Sequence, residues 1–480
     1  MRALAVAALA LLALLAACAS VEPGNPPLAR YSPDAGYRFD RLQAPAGADR
    51  LFVIVTFSGG GTRAAALAFG VLEALRDTTL ELDGRKTRLL DEVDVISSIS
   101  GGSFPAAYYA LRGEATFAEF PGKFLYRPIQ SELVSLALSP ASWPRLAAAA
   151  YGRSDLAASF YDREVFGGAT YADVIARDRR PFVILNATDM STGRPFPFIQ
   201  DRFDLICSDL AGVKLARAAA ASSAFPGGLT ALTFWNYAGG CGYRQPAWVA
   251  LAMQDPPAQL NARRTAEAEA RLSLAAPGPA RPYLHLTDGG VSDNLGLRGP
   301  LEAIVSVDSP WSVLRRINQG RVERLVVIAV NAATRPETKR DASADVPGLV
   351  DTVTAAATVP LDNYSFDTVE LLDRIAAEYR SDARAVAACN RLSAARGAQC
   401  ALNLPAPNAV ELYPVQVAFE FLPDRAERDW ALDVPTSLEL PRAAVDRLRL
   451  LGRKLLAQDP QFRRLLGELH GCLPAAGSGC

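Results

Sequence analysis

Three turns in this chain hold residue types that can make and break acyl bonds. They are Ser58-Gly59-Gly60-Gly61-Thr62-Arg63, Ser98-Ile99-Ser100-Gly101-Gly102-Ser103 and Asp288-Gly289-Gly290. A serine on a sharp strand-to-helix turn presents its hydroxyl outward, and the turn needs neighbours with almost no side chain. Ser98 and Gly102 meet that need around Ser100, although the leading position is not glycine. Acyl transfer develops a negative oxygen, which backbone N–H groups at a glycine-rich helix start can receive. Gly59, Gly60 and Gly61, with Gly101, form the candidate oxyanion hole. Asp288 is the candidate general base: its reference pKa of about 3.9 is low, but a carboxylate within hydrogen-bond reach can orient and deprotonate a serine. Together the three turns read as a serine acyl hydrolase.

Histidine usage narrows the machinery. The chain has two histidines, His285 and His470, and neither has a motif around it. A Ser-Asp dyad is therefore a cheaper reading than a triad ending in histidine. Other readings of the same residues stay open. Ser103 could be the nucleophile in the register Gly101-Gly102-Ser103-Phe104-Pro105, with proline in place of the trailing glycine. The glycine run could be a plain turn, though it lacks the lysine of a phosphate loop. Asp288 could sit in a surface turn, and Asp293 or Asn294 could contribute, Asn294 by fixing the loop. Arg63 is a candidate contact to the loop or to a substrate phosphate.

The elements that must hold these turns alternate. Strand-like runs at residues 51–57, 93–97, 182–186, 283–287 and 325–330 are interspersed with helical runs at 64–75, 106–111 and 214–223. That alternation predicts an α/β fold with a mostly parallel sheet covered on both faces, with ligands bound beyond the carboxyl ends of strands. Two helical inserts interrupt it, at 129–150 with Pro140, Trp143 and Pro144, and at 258–274. After Val305, segments at 346–361, 415–421 and 442–456 complete or flank the core. The tryptophans, Trp143, Trp235, Trp248, Trp311 and Trp430, read as packing residues unless they cluster at the cleft mouth.

In its three chemical segments, taken in order, the chain resembles the patatin-like phospholipase family, including cytosolic phospholipase A2. Asn186-Ala187-Thr188-Asp189 and Ala220-Ala221-Ser222-Ser223-Ala224-Phe225-Pro226 look like structural segments of that family, and the resemblance spans roughly residues 51–304. It implies a three-layer α/β/α fold with Ser100 as nucleophile, Asp288 as base and the glycine loop as oxyanion hole. It also implies hydrolysis of carboxylic esters in phospholipids or lysophospholipids; no cofactor is expected. A non-catalytic lipid-binding or scaffold lipoprotein of the same fold is the alternative.

The N-terminus points to export. Arg2 precedes a continuous apolar run at residues 3–15, and Leu15-Ala16-Ala17-Cys18 puts a cysteine directly after small residues. The run is too short to span a bilayer and reads as a signal peptide over 1–17, with Cys18 resembling the lipidated first residue of bacterial lipoproteins. An ordinary secretory signal with an incidental cysteine is the competing reading. The absence of Asp at position 19 resembles the pattern of Gram-negative lipoproteins sorted to the outer membrane, facing the periplasm. Residues 18–50, rich in Pro and Gly, read as a tether; 51–305 would be the catalytic domain and 306–480 a C-terminal region.

Of seven cysteines, six remain after Cys18: Cys207, Cys241, Cys389, Cys400, Cys472 and Cys480. No Cys-x-x-Cys and no metal-ligand spacing occurs, which disfavours redox and zinc chemistry. Pairing of Cys207 with Cys241, Cys389 with Cys400 and Cys472 with Cys480 would suit an oxidising compartment. Half the residues are apolar, 21% are charged and the net charge is -1, leaving no basic field for nucleic acid.

Overall fold

The computed structural model of the chain describes residues 24–45, 50–254, 262–276, 278, 280–335, 339–342, 344, 346, 348–396 and 410–474. The expected signal peptide, Cys18, Cys400 and Cys480 lie outside the described residues.

The central sheet is built on strands buried along their whole length. β1 (Leu51–Phe57) is buried at every position, as is β4 (Val93–Ile99), the signature of strands covered on both faces. Between them β2 (Thr79–Leu82) and β3 (Arg85–Arg88) form a separate hairpin. β5 (Phe182–Asp189), β6 (Arg194–Pro197), β7 (Leu232–Trp235), β8 (Tyr283–Asp288), β9 (Arg324–Asn331) and β10 (Glu411–Ala418) complete the set. The order across the sheet is β10-β9-β1-β4-β5-β8-β7, with β6 also paired to β5. The five strands from β10 to β5 run parallel. β8 is antiparallel to β5, and β7 to β8. The sheet is thus mostly parallel with an antiparallel flank, and β9 and β10 bring residues beyond Val305 into it.

Helices flank the sheet: α1 (Gly61–Asp77), α2 (Ser103–Arg112), α3 (Ile129–Leu138), α4 (Trp143–Leu146), α5 (Leu215–Ser222), α6 (Ala247–Gln254), α7 (Ala262–Ala275), α8 (Leu349–Arg396) and α9 (Arg442–Gln458). The expected inserts appear as α3 with α4 and as α7; α6 lies before the second of them and shares with α7 the small core Val249, Ala252 and Ala268. α8 runs 48 residues, far beyond the 346–361 segment legible in the sequence. Pro360 and the polar residues after it break the apolar pattern there, and proline ordinarily ends a helix. α1 and α9 meet at very close range: a Cβ on Gly70 would fall 2.1 Å from the Arg449 carbonyl oxygen. Among the described residues no helix is long and apolar enough to cross a membrane.

The expected tether is corrected by the structure. Residues from Asn25 to Leu42 dock on the core instead of hanging free. Tyr37 and Phe39 are buried, and the Tyr37 hydroxyl donates to the Val183 carbonyl at 3.1 Å. Asn25 donates to Ser208 Oγ at 3.0 Å and accepts from the Trp235 N–H at 2.7 Å. Proline and glycine remove regular structure, but two aromatic anchors and one amide suffice to fasten an irregular segment.

Candidate active site

β1 ends in the glycine loop. Gly60 (φ 134°) and Gly61 (φ 61°) occupy backbone conformations that side chains rarely adopt, and they turn the chain directly into α1. Gly60 caps that helix and Gly61 opens it, so their N–H groups fall where a helix offers no internal acceptor and its dipole favours negative charge. The first glycine is a correction. Gly59 N–H donates to the Asn294 carbonyl at 3.0 Å, so it is spent on holding the loop and cannot serve an oxyanion. What Gly59 provides is room, since a Cβ there would lie 2.5 Å from Asn294 Oδ1 and 3.3 Å from Ser100 Cβ.

Ser100 follows β4 at φ 48°, the strained left-handed turn of a nucleophile elbow, costing about 1–3 kcal/mol for a non-glycine residue. The surroundings enforce it. Gly101 packs so tightly on the oxyanion loop that a Cβ would come 2.1 Å from the Gly61 carbonyl oxygen. The Ser100 N–H donates to Ser222 Oγ at 2.9 Å, and Ser222 Oγ donates to the Asn186 carbonyl at 2.6 Å. Ser103, the competing nucleophile, is the first residue of α2 and fully buried, with Oγ 3.2 Å from Ser98 Oγ and 2.9 Å from Ser222 Oγ. It is part of the frame under the elbow. Ser98 suits its non-glycine position because its hydroxyl is satisfied by the Ile184 carbonyl at 3.2 Å.

Asp288 ends β8, and strand register brings it to Ser100. Ile99 lies opposite Asn186 on β5, and Asp288 lies opposite Ala187 on the other side of β5. Only three residue pairs join β5 and β8, so the antiparallel strand descends from beyond the carboxyl edge and stops at the level of the elbow. The Ser100 side chain comes up to the Asp288 carboxyl and favours its ionised form. Asp288 Oδ1 also accepts the Gly290 N–H at 2.8 Å, and its carbonyl accepts from Thr188 Oγ1 at 2.8 Å. Burial pushes the carboxyl up to about 7, against the Gly290 hydrogen bond and the Ser100 side chain, which favour the ionised form.

Its neighbours have other work. Asp293 accepts the Arg298 N–H at 2.8 Å and so caps the following helix, and Asn294 fixes the glycine loop through its carbonyl. Arg63 is buried and donates to the carbonyls of Ala332 at 2.9 Å and Val434 at 2.6 Å. That corrects the phosphate option: the guanidinium latches the oxyanion helix to the C-terminal region. The Thr62 N–H donates to the Ser437 carbonyl at 2.8 Å in the same place. His285 is exposed on β8, with Nδ1 3.1 Å from Thr233 Oγ1, and His470 follows the last helix. Among the described residues no group of three His, Cys, Asp or Glu could hold a metal ion. Cys207 and Cys241 are joined by a disulfide; Cys389 and Cys472 are also disulfide-bonded, and their expected partners lie outside the described residues. Ser222 is a supporting residue whose role sequence reasoning missed, and for Arg63 it missed the carbonyl partners in the C-terminal region. The signals were a lone polar run closing an alanine-rich helix and an arginine within an otherwise apolar helix start.

Residues 55–301 match the patatin-like phospholipase family. Among solved structures the chain is similar to human GIVD cytosolic phospholipase A2, with 13% identity and a TM-score of 0.43 over 88% of this chain and 62% of that one. The chain thus spans about three fifths of that protein's length. It is also similar to VipD from Legionella pneumophila, with 9% identity and a TM-score of 0.24 over 92% of this chain and 72% of that one. No curated protein matches it by sequence. With the family match covering half its length and the glycine loop, the serine elbow and the aspartate turn meeting in one place, the chain belongs to the patatin-like phospholipase family.

Proposed function

We propose that this protein is a serine acyl hydrolase that cleaves carboxylic esters of phospholipids or lysophospholipids through a Ser100–Asp288 dyad. The observation that carries this reading is the Ser100 side chain set against a buried carboxyl whose pKa stands at about 7, beside the N–H groups of Gly60, Gly61 and Gly101. A base is most effective when its pKa lies near the working pH, and burial moves this aspartate there without histidine. Ser100 Oγ attacks the ester carbonyl carbon while its proton passes to Asp288. The oxyanion forms against the three glycine N–H groups. Collapse breaks the C–O bond, and the leaving alcohol takes the proton from Asp288. Water then attacks the Ser100 acyl-enzyme, giving its proton to Asp288, and the fatty acid departs as the proton returns to Ser100.

The reading extends to location. Cys18 would carry the lipid anchor, each buried methylene contributing about 0.8 kcal/mol, and hold the enzyme at the outer membrane facing the periplasm. Fatty-acid release from a lipid panel by wild type and by Ser100→Ala tests the chemistry. Equal release by both sinks the mechanism, and loss only in Ser103→Ala would move the nucleophile. Fluorophosphonate labelling of Ser100 separates the enzyme from a non-catalytic lipid binder. Release of a Cys18→Ser variant from membrane fractions tests the anchor.

A further inference from the structure

We infer that the α3–α4 insert is a membrane-docking surface that seats the active site on an anionic phospholipid bilayer, an inference that rests on the lipid-ester reading. Val134 and Leu138 are 52% and 71% exposed and stand one turn apart on α3, and Trp143 at the start of α4 is 58% exposed. The inward side of α3 is already satisfied, with Ile129 buried and Leu133 and Leu136 packed on the core. The outward apolar side chains therefore have no packing purpose within the fold.

Charge selects the occupant. From Leu133 to Ser154 the chain contains no Asp or Glu, and its charged residues are Arg145 and Arg153, both exposed. An apolar face carrying a tryptophan and flanked only by arginines fits the headgroup region of an anionic bilayer, where rings sit at the interface and arginine stems reach phosphate. The acids near the start of α3 are held: Glu132 on the helix by Arg127 at 2.8 Å, and Glu439 of the C-terminal region by the Ser131 N–H at 3.1 Å.

The insert is tied to the catalytic loop. Ser437 Oγ and the Leu438 N–H both donate to Gln130 Oε1, at 2.9 and 3.2 Å, and the Ser437 carbonyl accepts the Thr62 N–H at 2.8 Å. One short segment thus joins the first turn of the docking helix to the first turn of the oxyanion helix. A bilayer held by α3 and α4 is held beside the glycine loop.

The test uses the full chain carrying Ser100→Ala, so that vesicles are not consumed, and phosphatidylglycerol–phosphatidylcholine vesicles with brominated acyl chains. Tryptophan fluorescence should be quenched, more strongly as phosphatidylglycerol rises, and Trp143→Phe should remove that quenching. Quenching unchanged by Trp143→Phe overturns the proposal, as does a face that instead mediates self-association, seen as a wild-type dimer that Val134→Ser/Leu138→Ser disperses without any quenching. In the active enzyme, Val134→Ser/Leu138→Ser should lower vesicle hydrolysis by about tenfold and leave hydrolysis of a soluble short-chain ester unchanged. Equal vesicle rates overturn it. If wild type cleaves neither substrate, the hydrolase reading fails, and quenching still decides the docking surface.

Discussion

Asp288 should set the pH dependence of the reaction. The carboxyl stands at about 7 instead of 3.8 because burial penalises its charge more than Gly290 and Ser100 favour it. The difference between 3.8 and about 7 corresponds to roughly 4 kcal/mol between the two protonation states. The base acts ionised, so activity rises with pH, and below the pKa it falls tenfold per unit; at pH 5 about 1% of the plateau rate should remain. The assay is kcat/KM for a soluble short-chain ester from pH 5 to 9, which keeps vesicle binding out of the profile. A plateau extending down to pH 5, with half-activity near 4, would refute the argument, because it would place Asp288 at its ordinary value. Stability runs the other way. A carboxyl raised in the folded state contributes stability that is complete below about pH 4 and is lost as pH climbs through about 7. Asp288→Asn, which carries no charge, should match wild type near pH 4 and exceed it at pH 8, by up to roughly 4 kcal/mol. Urea midpoints at the two pH values read this directly, and an Asn variant less stable than wild type at pH 8 contradicts it.

Three further variants probe the frame. Ser222→Ala removes the acceptor of the Ser100 N–H and should cost about 1–3 kcal/mol while lowering kcat with little change in KM; an unchanged kcat would show that the elbow holds itself. Arg63→Met strips two backbone carbonyls of their charged donor and should lower stability by about 3 kcal/mol or more in urea unfolding, whereas a surface-like effect below about 0.5 kcal/mol would deny the latch. Replacing Cys207 and Cys241 together by serine opens a crosslink spanning 34 residues and should cost about 2–4 kcal/mol. It should leave kcat/KM on the soluble ester intact, and a matching loss of activity would place the disulfide in the catalytic frame.

Local chemistry was legible in the sequence because it depends on neighbours along the chain. A strand-like run followed by glycines marks each turn within about ten residues, and β1 falls at Leu51–Phe57 as expected. Ser100, the glycine loop and Asp288 could be named for the same reason. What composition misjudged was the segment before β1, where Pro and Gly suggested a tether and buried Tyr37 and Phe39 made a docked strap. Tertiary structure alone decided the rest. Register across β5 sets Asp288 level with a serine 188 positions earlier in the chain, and no local pattern encodes which strands become neighbours. The same holds for the Gly59 N–H, claimed by Asn294, and for Arg63, claimed by carbonyls of the C-terminal region. A backbone donor or a buried guanidinium must be satisfied by whatever the fold brings within reach, and that partner is a property of the packed chain.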